Sequence, residues 1–177
     1  MNDQEQIVEI NFDTFSTEEY HEILLLLSVE SEITETETNK DFWDHRLYEK
    51  TNGNIYLNRV CSEEIRSIIV GRCKELYNTP DDEDKYTVLY YRSQGGSAIN
   101  WHDDGSYGAA VSIYLNDDWN REFGGYFIYQ RENEKVMTAI QPTRGTSVYT
   151  SGGVLHAITP VRYDAPVRES IQVFINE

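Results

Sequence analysis

Residues 109–115 read AAVSIYL, and their alternation of apolar and polar side chains decides which folds the chain can adopt. In a β-strand successive side chains point to opposite faces, so Ser112 and Tyr114 share one face and the aliphatic side chains the other. Residues 167–175, VRESIQVFI, divide in the same way and place Arg168 on the polar face. Two such strands predict a barrel with a polar interior and an aliphatic outside on which helices pack.

The sequence around these strands changes character near residue 86. From there on, short β-type runs are separated by Gly, Asn, Asp and Pro. The runs cover residues 86–91, 109–115, 125–130, 136–141, 146–150 and 167–175. No helical periodicity appears after Asn78, whereas amphipathic patterns before it predict helices over residues 17–28 and 62–78. We therefore predict an α+β fold in which the strands form a sandwich or barrel and the helices buttress one face.

The 177 residues suffice for one domain with a sizeable core, and we expect residues 1–177 to form it. Residues 1–84 would supply the helical support, and residues 85–177 the β-barrel. Between the helices, residues 31–58 are polar, contain a glycine and scattered aromatics, and lack a clear period. This composition predicts a long mobile loop that acts as a lid.

Net charge limits the partners that the protein can have. With 15 Lys and Arg against 31 Asp and Glu, the chain carries a charge of −16, which repels nucleic acids and anionic membrane surfaces. No apolar run approaches the roughly 20 residues that span a bilayer. Met1–Glu5 has neither the basic start nor the apolar stretch of a secretory signal. We expect a cytoplasmic protein that binds neither nucleic acid nor membrane.

The two cysteines are expected to be free thiols. We expect Cys61 and Cys73 in one helical segment, in which about 18 Å would separate them, and this is too far for a disulfide. Unpaired cysteines also agree with a reducing compartment.

Two of the four histidines have a sequence context that suggests a metal site. His102-Asp103-Asp104 contains an HxD pattern, and His156 follows 54 residues later. Two imidazoles and one carboxylate on one face of Fe(II) form the facial triad of non-haem oxygenases. The HxD spacing favours Asp104 over the adjacent Asp103. A surface histidine beside two solvated aspartates is the alternative for His102. His21 and His45 have no such companions, and we expect them on a helix surface and in a loop.

A site that also binds 2-oxoglutarate needs a buried cation for the remote carboxylate of that cosubstrate. Arg168 is the candidate, because period-two geometry groups it with Ser170 and Gln172 on the polar face of its strand. A surface ion pair with Glu169 is the alternative role for this arginine.

Taken in order along the chain, these motifs resemble the Fe(II)/2-oxoglutarate-dependent dioxygenases. Within that superfamily they are similar to the prolyl 4-hydroxylase-like branch, in its small bacterial or viral form. The matching text is Tyr90-Tyr91, Gly95-Gly96, Trp101-His102-Asp103-Asp104, Ile113-Tyr114-Leu115-Asn116 with Trp119, Gly124-Gly125, Pro142 with Gly145, His156 with Ile158 and Pro160, and Arg168. The resemblance covers about residues 86–175 and implies a double-stranded β-helix, a jelly-roll or cupin-like barrel, buttressed by N-terminal helices.

The resemblance also implies roles for single residues. His102, Asp104 and His156 would bind Fe(II), and Arg168 would pair with the C5 carboxylate of 2-oxoglutarate. Three further side chains would bind the cosubstrate or line its pocket: Tyr114, a hydroxyl donor to that carboxylate; Tyr91, with Tyr90 as the alternative; and Ser170, a second donor.

The reaction implied is hydroxylation of a C–H bond with O₂ as cosubstrate, ascorbate as a supporting reductant, and release of succinate and CO₂. Halogenases related to this family lack the carboxylate of the triad, so the presence of Asp104 favours hydroxylation.

The resemblance favours a prolyl residue in a protein or peptide as the substrate, with a free amino acid or another small molecule as the alternative. Tyr107 stands where oxygen-sensing prolyl hydroxylases have a substrate-binding arginine, so recognition must differ. Trp101, Tyr107 and Phe174 are candidates for the walls of a peptide pocket, and the alternative is that these aromatic side chains belong to the core.

Two further alternatives are less favoured. Nucleic-acid demethylation would pair Arg162 with Arg168, but these lie too close to His156 for that pattern, and residues 85–177 carry a charge of −2. We expect Arg162 to be a charge on a surface loop. A non-enzymatic cupin-type binding module would have no need of a buried Arg168 beside Tyr114.

Overall fold

The computed structural model describes residues 6–105, 107–131 and 134–176. Met1–Glu5, on which the expectation about a secretory signal rests, lie outside the described residues. The strands are β1 (Val8–Asn11), β2 (Glu37–Thr38), β3 (Thr51–Asn52), β4 (Ile55–Arg59), β5 (Tyr86–Ser93), β6 (Ala98–His102), β7 (Ala109–Tyr114), β8 (Phe127–Tyr129), β9 (Thr138–Ile140), β10 (Ser147–Ser151), β11 (His156–Ile158) and β12 (Arg168–Ile175). The helices are α1 (Thr17–Ile33), α2 (Asn39–Phe42), α3 (His45–Tyr48) and α4 (Glu63–Tyr77).

The strands form two antiparallel sheets. The larger has the order β1-β10-β7-β12-β5-β4-β2, and the smaller has the order β3-β6-β11-β8-β9. Side chains of both sheets line one cavity, which therefore lies between them. The predicted α+β barrel is confirmed. Most pairings join strands that are not consecutive in the sequence, so the cavity is built from residues far apart in the chain.

The central strands of the large sheet divide their side chains as the alternation predicts. β7 and β12 are paired in a register that sets Ser112 opposite Gln172 and Tyr114 opposite Ser170. Their aliphatic faces join the buried side chains of α1 and α4 in the largest hydrophobic cluster of the described chain. This cluster fixes the large sheet against the helices and leaves its polar face free to line the cavity.

The helix termini follow from capping residues that the sequence displays. Ser16 and Glu19 form a reciprocal capping box at the start of α1, and Ser62 caps α4. Asn78, which has a left-handed backbone conformation (φ 47°), ends α4. α1 continues to Ile33, five residues beyond the predicted end at Ser28, because nothing in Val29–Glu32 stops a helix.

Ile113 tests the contribution of this cluster to stability. Its side chain on β7 is fully buried beneath the helices, so Ile113→Ala should lower the free energy of unfolding by about 2–5 kcal/mol. Leu25→Ala is the matched control, because Leu25 is 66% exposed on α1 and its truncation leaves no cavity. Urea denaturation measures both changes. Equal effects of the two substitutions would contradict this account of the core.

The prediction of a long loop over residues 31–58 is wrong in its local structure. The segment contains β2, α2, α3, β3 and β4, and β4 pairs with β5 inside the large sheet. Elements of two to five residues are too short to show a period in the sequence. We call residues 39–48, which hold α2 and α3, the cover segment. Its partly buried Phe42, Trp43 and Leu47 pack against a cluster that includes Tyr91.

The predicted position of Cys61 in a helix is also wrong. Cys61 is exposed and precedes α4, because Ser62 caps that helix, whereas Cys73 is buried on α4. Both thiols are free, as expected. Among the described residues, no helix is long and apolar enough to cross a membrane.

Candidate active site

His102, Asp104 and His156 converge at one end of the cavity, although 54 residues separate the two histidines. His102 ends β6 and His156 begins β11, and the pairing of these strands sets the two residues directly opposite each other. One ligating atom from each of the three side chains lies within 4.8 Å of the others. His156 Nε2 is 3.8 Å from Asp104 Oδ1. These three residues could hold one metal ion in a two-histidine, one-carboxylate arrangement, and we call this group of side chains the metal cluster.

Backbone carbonyls fix the orientation of both imidazoles. His102 Nδ1 lies 2.9 Å from the Asn100 carbonyl, and His156 Nδ1 lies 2.9 Å from the Val154 carbonyl. A carbonyl only accepts, so each Nδ1 carries the proton and each Nε2 presents a lone pair. Phe127 also stacks on His156, with ring centroids 5.0 Å apart. Both rings are therefore preset as ligands by groups that do not touch the metal.

Asp103 and Asp104 have different surroundings. Asp103 accepts a hydrogen bond from the Gly105 N–H at 3.0 Å and lies outside the three-residue cluster. Asp104 points into the cavity beside both histidines. The structure thus places in the cluster the aspartate that the HxD spacing favours.

Burial sets the protonation of the cluster. It lowers the pKa of His156, and burial together with the neighbouring His156 lowers that of His102. Burial raises the pKa of Asp104 to about 6. At neutral pH the site therefore holds two neutral imidazoles and one carboxylate, the forms that bind a divalent cation.

Arg168 lies on the large sheet and faces the same cavity. The side chain is buried, and its Nε donates to the Gly125 carbonyl at 2.9 Å. Nη1 lies 3.4 Å from Ser170 Oγ, whereas Nη2 has no hydrogen-bond partner. No carboxylate among the described residues pairs with this guanidinium, so the predicted alternative of an ion pair with Glu169 is wrong. Tyr90 donates to Glu169 instead.

Tyr114 adds a second unsatisfied donor beside Arg168. Its ring lies 5.1 Å below the guanidinium carbon, and its buried hydroxyl also lacks a partner. Burial raises the pKa of Tyr114 to about 12, so the hydroxyl stays protonated. Buried donors are rarely left unpaired in a folded protein. A cation and a hydroxyl unpaired at the same place fit the carboxylate of a bound ligand.

The remaining predicted residues differ in their relation to the cavity. Tyr91 lines it, whereas Tyr90 packs in the cluster with the helices, and this resolves the alternative between them. Ser170 is buried, and its hydroxyl oxygen accepts hydrogen bonds from Arg168 Nη1 at 3.4 Å and from Gln172 Nε2 at 3.0 Å. Ser170 therefore positions two other side chains and does not line the cavity.

A second cavity, of about 570 Å³, is also lined by His102 and Asp104 of the metal cluster. We call it the outer cavity, and the cavity between the two sheets the inner cavity. The cover segment forms one wall, and Tyr107 and Phe174, stacked with ring centroids 4.6 Å apart, belong to another. Trp101 is half-exposed and lines neither cavity, so it does not form the predicted wall. Arg162 is exposed and pairs with Asp164 at 2.7 Å, as expected for a surface charge.

Some lining residues were not predicted as site residues. Gln172, which Ser112 Oγ contacts at 2.7 Å, shares the polar face of β12 with Arg168, and period-two alternation could have identified it. Trp43 of the cover segment lines both cavities. No sequence signal marks Trp43, because it stands between helices of only four residues.

Comparison with known proteins places this site in a family. A model of the 2OG-Fe(II) oxygenase superfamily matches residues 86–176, the part of the chain that holds the whole cluster and Arg168. A search of curated protein sequences finds no match.

Solved structures similar to this chain share its fold at low identity. A Trichoplax adhaerens prolyl hydroxylase, solved with a hypoxia inducible factor oxygen degradation domain peptide, has a TM-score of 0.71 and 17% identity, with 96% of this chain and 83% of that chain covered. A viral collagen prolyl hydroxylase from Paramecium Bursaria Chlorella virus-1, in complex with 2OG, has a TM-score of 0.68 and 18% identity over 95% and 94% of the two chains. A non-heme alpha ketoglutarate dependent carbocyclase from nogalamycin biosynthesis has a TM-score of 0.69 and 14% identity over 98% and 80%.

These neighbours confirm the double-stranded β-helix, and the match to the family model implies that the cofactors are Fe(II) and 2-oxoglutarate. The buried triad fits the metal, and the unpaired Arg168 and Tyr114 donors fit the carboxylate of the cosubstrate. Since the family model spans more than half of the sequence, the chain belongs to the 2OG-Fe(II) oxygenase superfamily.

Proposed function

We propose that this oxygenase hydroxylates a prolyl residue in a protein or peptide. In this proposal His102, Asp104 and His156 hold Fe(II), and Arg168 pairs with the C5 carboxylate of 2-oxoglutarate while Tyr114 donates its hydroxyl proton to it. The observation that carries the use of 2-oxoglutarate in this proposal is the buried guanidinium without an anionic partner, which lines the same cavity as the metal cluster. A metal-binding module alone has no use for such a cation.

The chain contributes binding and orientation to this chemistry. When bound, the iron and 2-oxoglutarate supply the oxidising power that converts C–H, O₂ and 2-oxoglutarate into C–OH, succinate and CO₂. Arg168 and the triad fix the two ends of the cosubstrate from opposite sheets. The cover segment keeps water from the inner cavity, which prevents side reactions of the oxidant. Asp104 occupies the carboxylate position of the triad, which favours hydroxylation over halogenation.

The outer cavity supports a cyclic, apolar side chain within a longer segment as the substrate. Its lining includes the aromatic side chains of Trp43, Tyr107 and Phe174 as well as metal-cluster residues, and its volume exceeds that of one side chain. Two neighbours of similar fold are prolyl hydroxylases, one of them solved with a peptide. A free amino acid or another small molecule is the second candidate, since a third neighbour is a carbocyclase from nogalamycin biosynthesis.

A peptide library tests the substrate. Purified protein with Fe(II), 2-oxoglutarate, O₂ and ascorbate should add one oxygen atom to a proline in a subset of the peptides, as seen by mass spectrometry. The same peptides with Pro→Ala are the control and should stay unmodified. Oxygen gain on free amino acids alone, with none on any peptide, would overturn the prolyl proposal in favour of the small-molecule one.

Metal binding should weaken as the pH falls below neutral. The ion needs an ionised Asp104 and neutral imidazoles. Burial raises the pKa of Asp104 to about 6 and lowers those of His102 and His156. Asp104 is therefore the first ligand that protons block, and the histidines follow at lower pH. By calorimetry, we expect the Kd for Mn(II) to be constant above about pH 7 and to rise about tenfold per unit below about pH 6. A constant Kd down to about pH 5 would contradict this.

A further inference from the structure

One residue of the cover segment contacts a cavity residue in a way that the proposed function does not use. Trp43 directly follows α2, and its indole Nε1 lies 3.2 Å from the hydroxyl oxygen of Tyr91 on β5. The two rings are 5.9 Å apart and inclined by 46°. Through this bond the cover segment reaches a hydroxyl that lines the inner cavity.

The chemistry of the bond fixes the direction in which Tyr91 can donate. An indole N–H donates only, so the Tyr91 oxygen must be the acceptor and its own proton must point elsewhere. In the part of the chain that the structure describes, no acceptor takes that proton. Burial raises the pKa of Tyr91 far above its usual range, so the hydroxyl keeps its proton. The hydroxyl is therefore a donor directed away from Trp43.

Tyr91 lines the cavity that contains both ends of the proposed cosubstrate site. Its register partner on β12 is Ser170, which in turn contacts the Arg168 guanidinium. Asp104, at the other end, lines the same cavity as Tyr91. A ligand that extends from the metal cluster to Arg168 therefore lies in the cavity that Tyr91 lines.

We propose that Trp43 is a positioning residue, whose indole N–H holds the Tyr91 hydroxyl as a donor to bound 2-oxoglutarate. The inference rests on the proposed placement of 2-oxoglutarate between the metal cluster and Arg168. The contact between Trp43 and Tyr91 would couple cosubstrate binding to the conformation of the cover segment, and such coupling acts equally in both directions. Binding of the cosubstrate orders the cover segment, and an ordered cover segment strengthens binding of the cosubstrate.

A double-mutant cycle on cosubstrate binding tests this inference without turnover. Calorimetry with Mn(II) in place of Fe(II) gives the Kd of 2-oxoglutarate for the wild type, Trp43→Phe, Tyr91→Phe and the double variant. Each single substitution should raise the Kd about fivefold, the loss of one hydrogen bond. The double variant should match Tyr91→Phe, since Trp43 acts only through the hydroxyl that is already removed. Thermal unfolding of the metal-free variants checks that all are folded.

Phe42→Leu is the matched control for packing. Phe42 is in the same segment and packs on the same cluster, and no hydrogen bond links its side chain to Tyr91. Its effect on the Kd should therefore multiply with that of Tyr91→Phe. A Trp43 that matters only for packing would behave like Phe42.

Hydrogen exchange supplies the second readout. 2-Oxoglutarate with Mn(II) should slow amide exchange over residues 39–48 in the wild type and not in Tyr91→Phe. Multiplicative effects of Trp43→Phe and Tyr91→Phe, or equal protection in both proteins, would overturn the role of Trp43 and leave the proposed function intact. A wild type that fails to bind 2-oxoglutarate would overturn both.

Discussion

Asp104→Ala is expected to abolish turnover and to raise the Kd for Mn(II) at least about 100-fold. Loss of a group that merely orients a metal ligand costs about 10–100-fold in affinity, and loss of a ligand must cost more. Asp104 is one of three side chains whose ligating atoms meet within 4.8 Å, and the two histidines that remain cannot neutralise the ion. Calorimetric titration with Mn(II) measures the change, and succinate release from 2-oxoglutarate measures turnover.

Asp103→Ala is the control for this substitution, because it removes a carboxylate one residue away. Asp103 accepts a hydrogen bond from the Gly105 N–H and lies outside the metal cluster. Its substitution should therefore change the Kd for Mn(II) by less than about threefold. The metal-free Asp104→Ala protein should unfold at the same temperature as the wild type or above it, since a buried carboxylate has been removed. Equal losses of metal affinity in the two variants would show that the triad is assigned wrongly.

Arg168→Met is expected to weaken 2-oxoglutarate binding by about 100-fold or more. Removal of one partner from a buried, hydrogen-bonded charge pair costs about 2–5 kcal/mol, and each 1.4 kcal/mol is a factor of ten. Arg168 has a free Nη2 and faces the metal cluster across the cavity. Calorimetry in the presence of Mn(II) measures the affinity, and the Kd for Mn(II) alone should not change.

Two further arginine variants separate charge from geometry. Arg168→Lys keeps the charge and loses the planar fork, so its affinity for 2-oxoglutarate should lie between those of the wild type and Arg168→Met. Arg162→Met removes an exposed arginine that pairs with Asp164, and it should leave the affinity unchanged. Wild-type affinity in Arg168→Met would mean that the cosubstrate carboxylate binds elsewhere.

The sequence predicts the sheet that carries Arg168 better than the sheet that carries the histidines. In β7 and β12, the alternation of polar and apolar side chains indicates the face of Ser112, Tyr114 and Arg168, and the structure follows it, although Glu169 and Phe174 break the pattern. β11 has three residues, and β6 is missed because Ala98–His102 has no regular alternation. The chemistry of the ligands and the family resemblance predicted that His102 and His156 lie close together. Their strand register could not be predicted, because it depends on the pairing of two strands that are far apart in the sequence.

The cover segment could not be predicted for a different reason. α2 and α3 have four residues each, about one turn, and are held by contacts of Phe42, Trp43 and Leu47 with the barrel. Such elements gain their stability from packing and not from local propensity. The hydrogen bond from Trp43 to Tyr91 depends on that packing, so no local pattern could indicate it. The position of Cys61 outside α4 has a local cause instead, since Ser62 caps the N-terminus of that helix.

The fate of molecular oxygen tests the central claim most directly. Protein supplied with Fe(II), 2-oxoglutarate and ¹⁸O₂, together with a peptide that it modifies, is analysed by mass spectrometry of both products. The proposed reaction predicts one ¹⁸O atom in succinate and one in the peptide, with no labelled product from Asp104→Ala. Succinate release absent from the wild type at saturating Fe(II), or a peptide oxygen derived from water, would contradict the account.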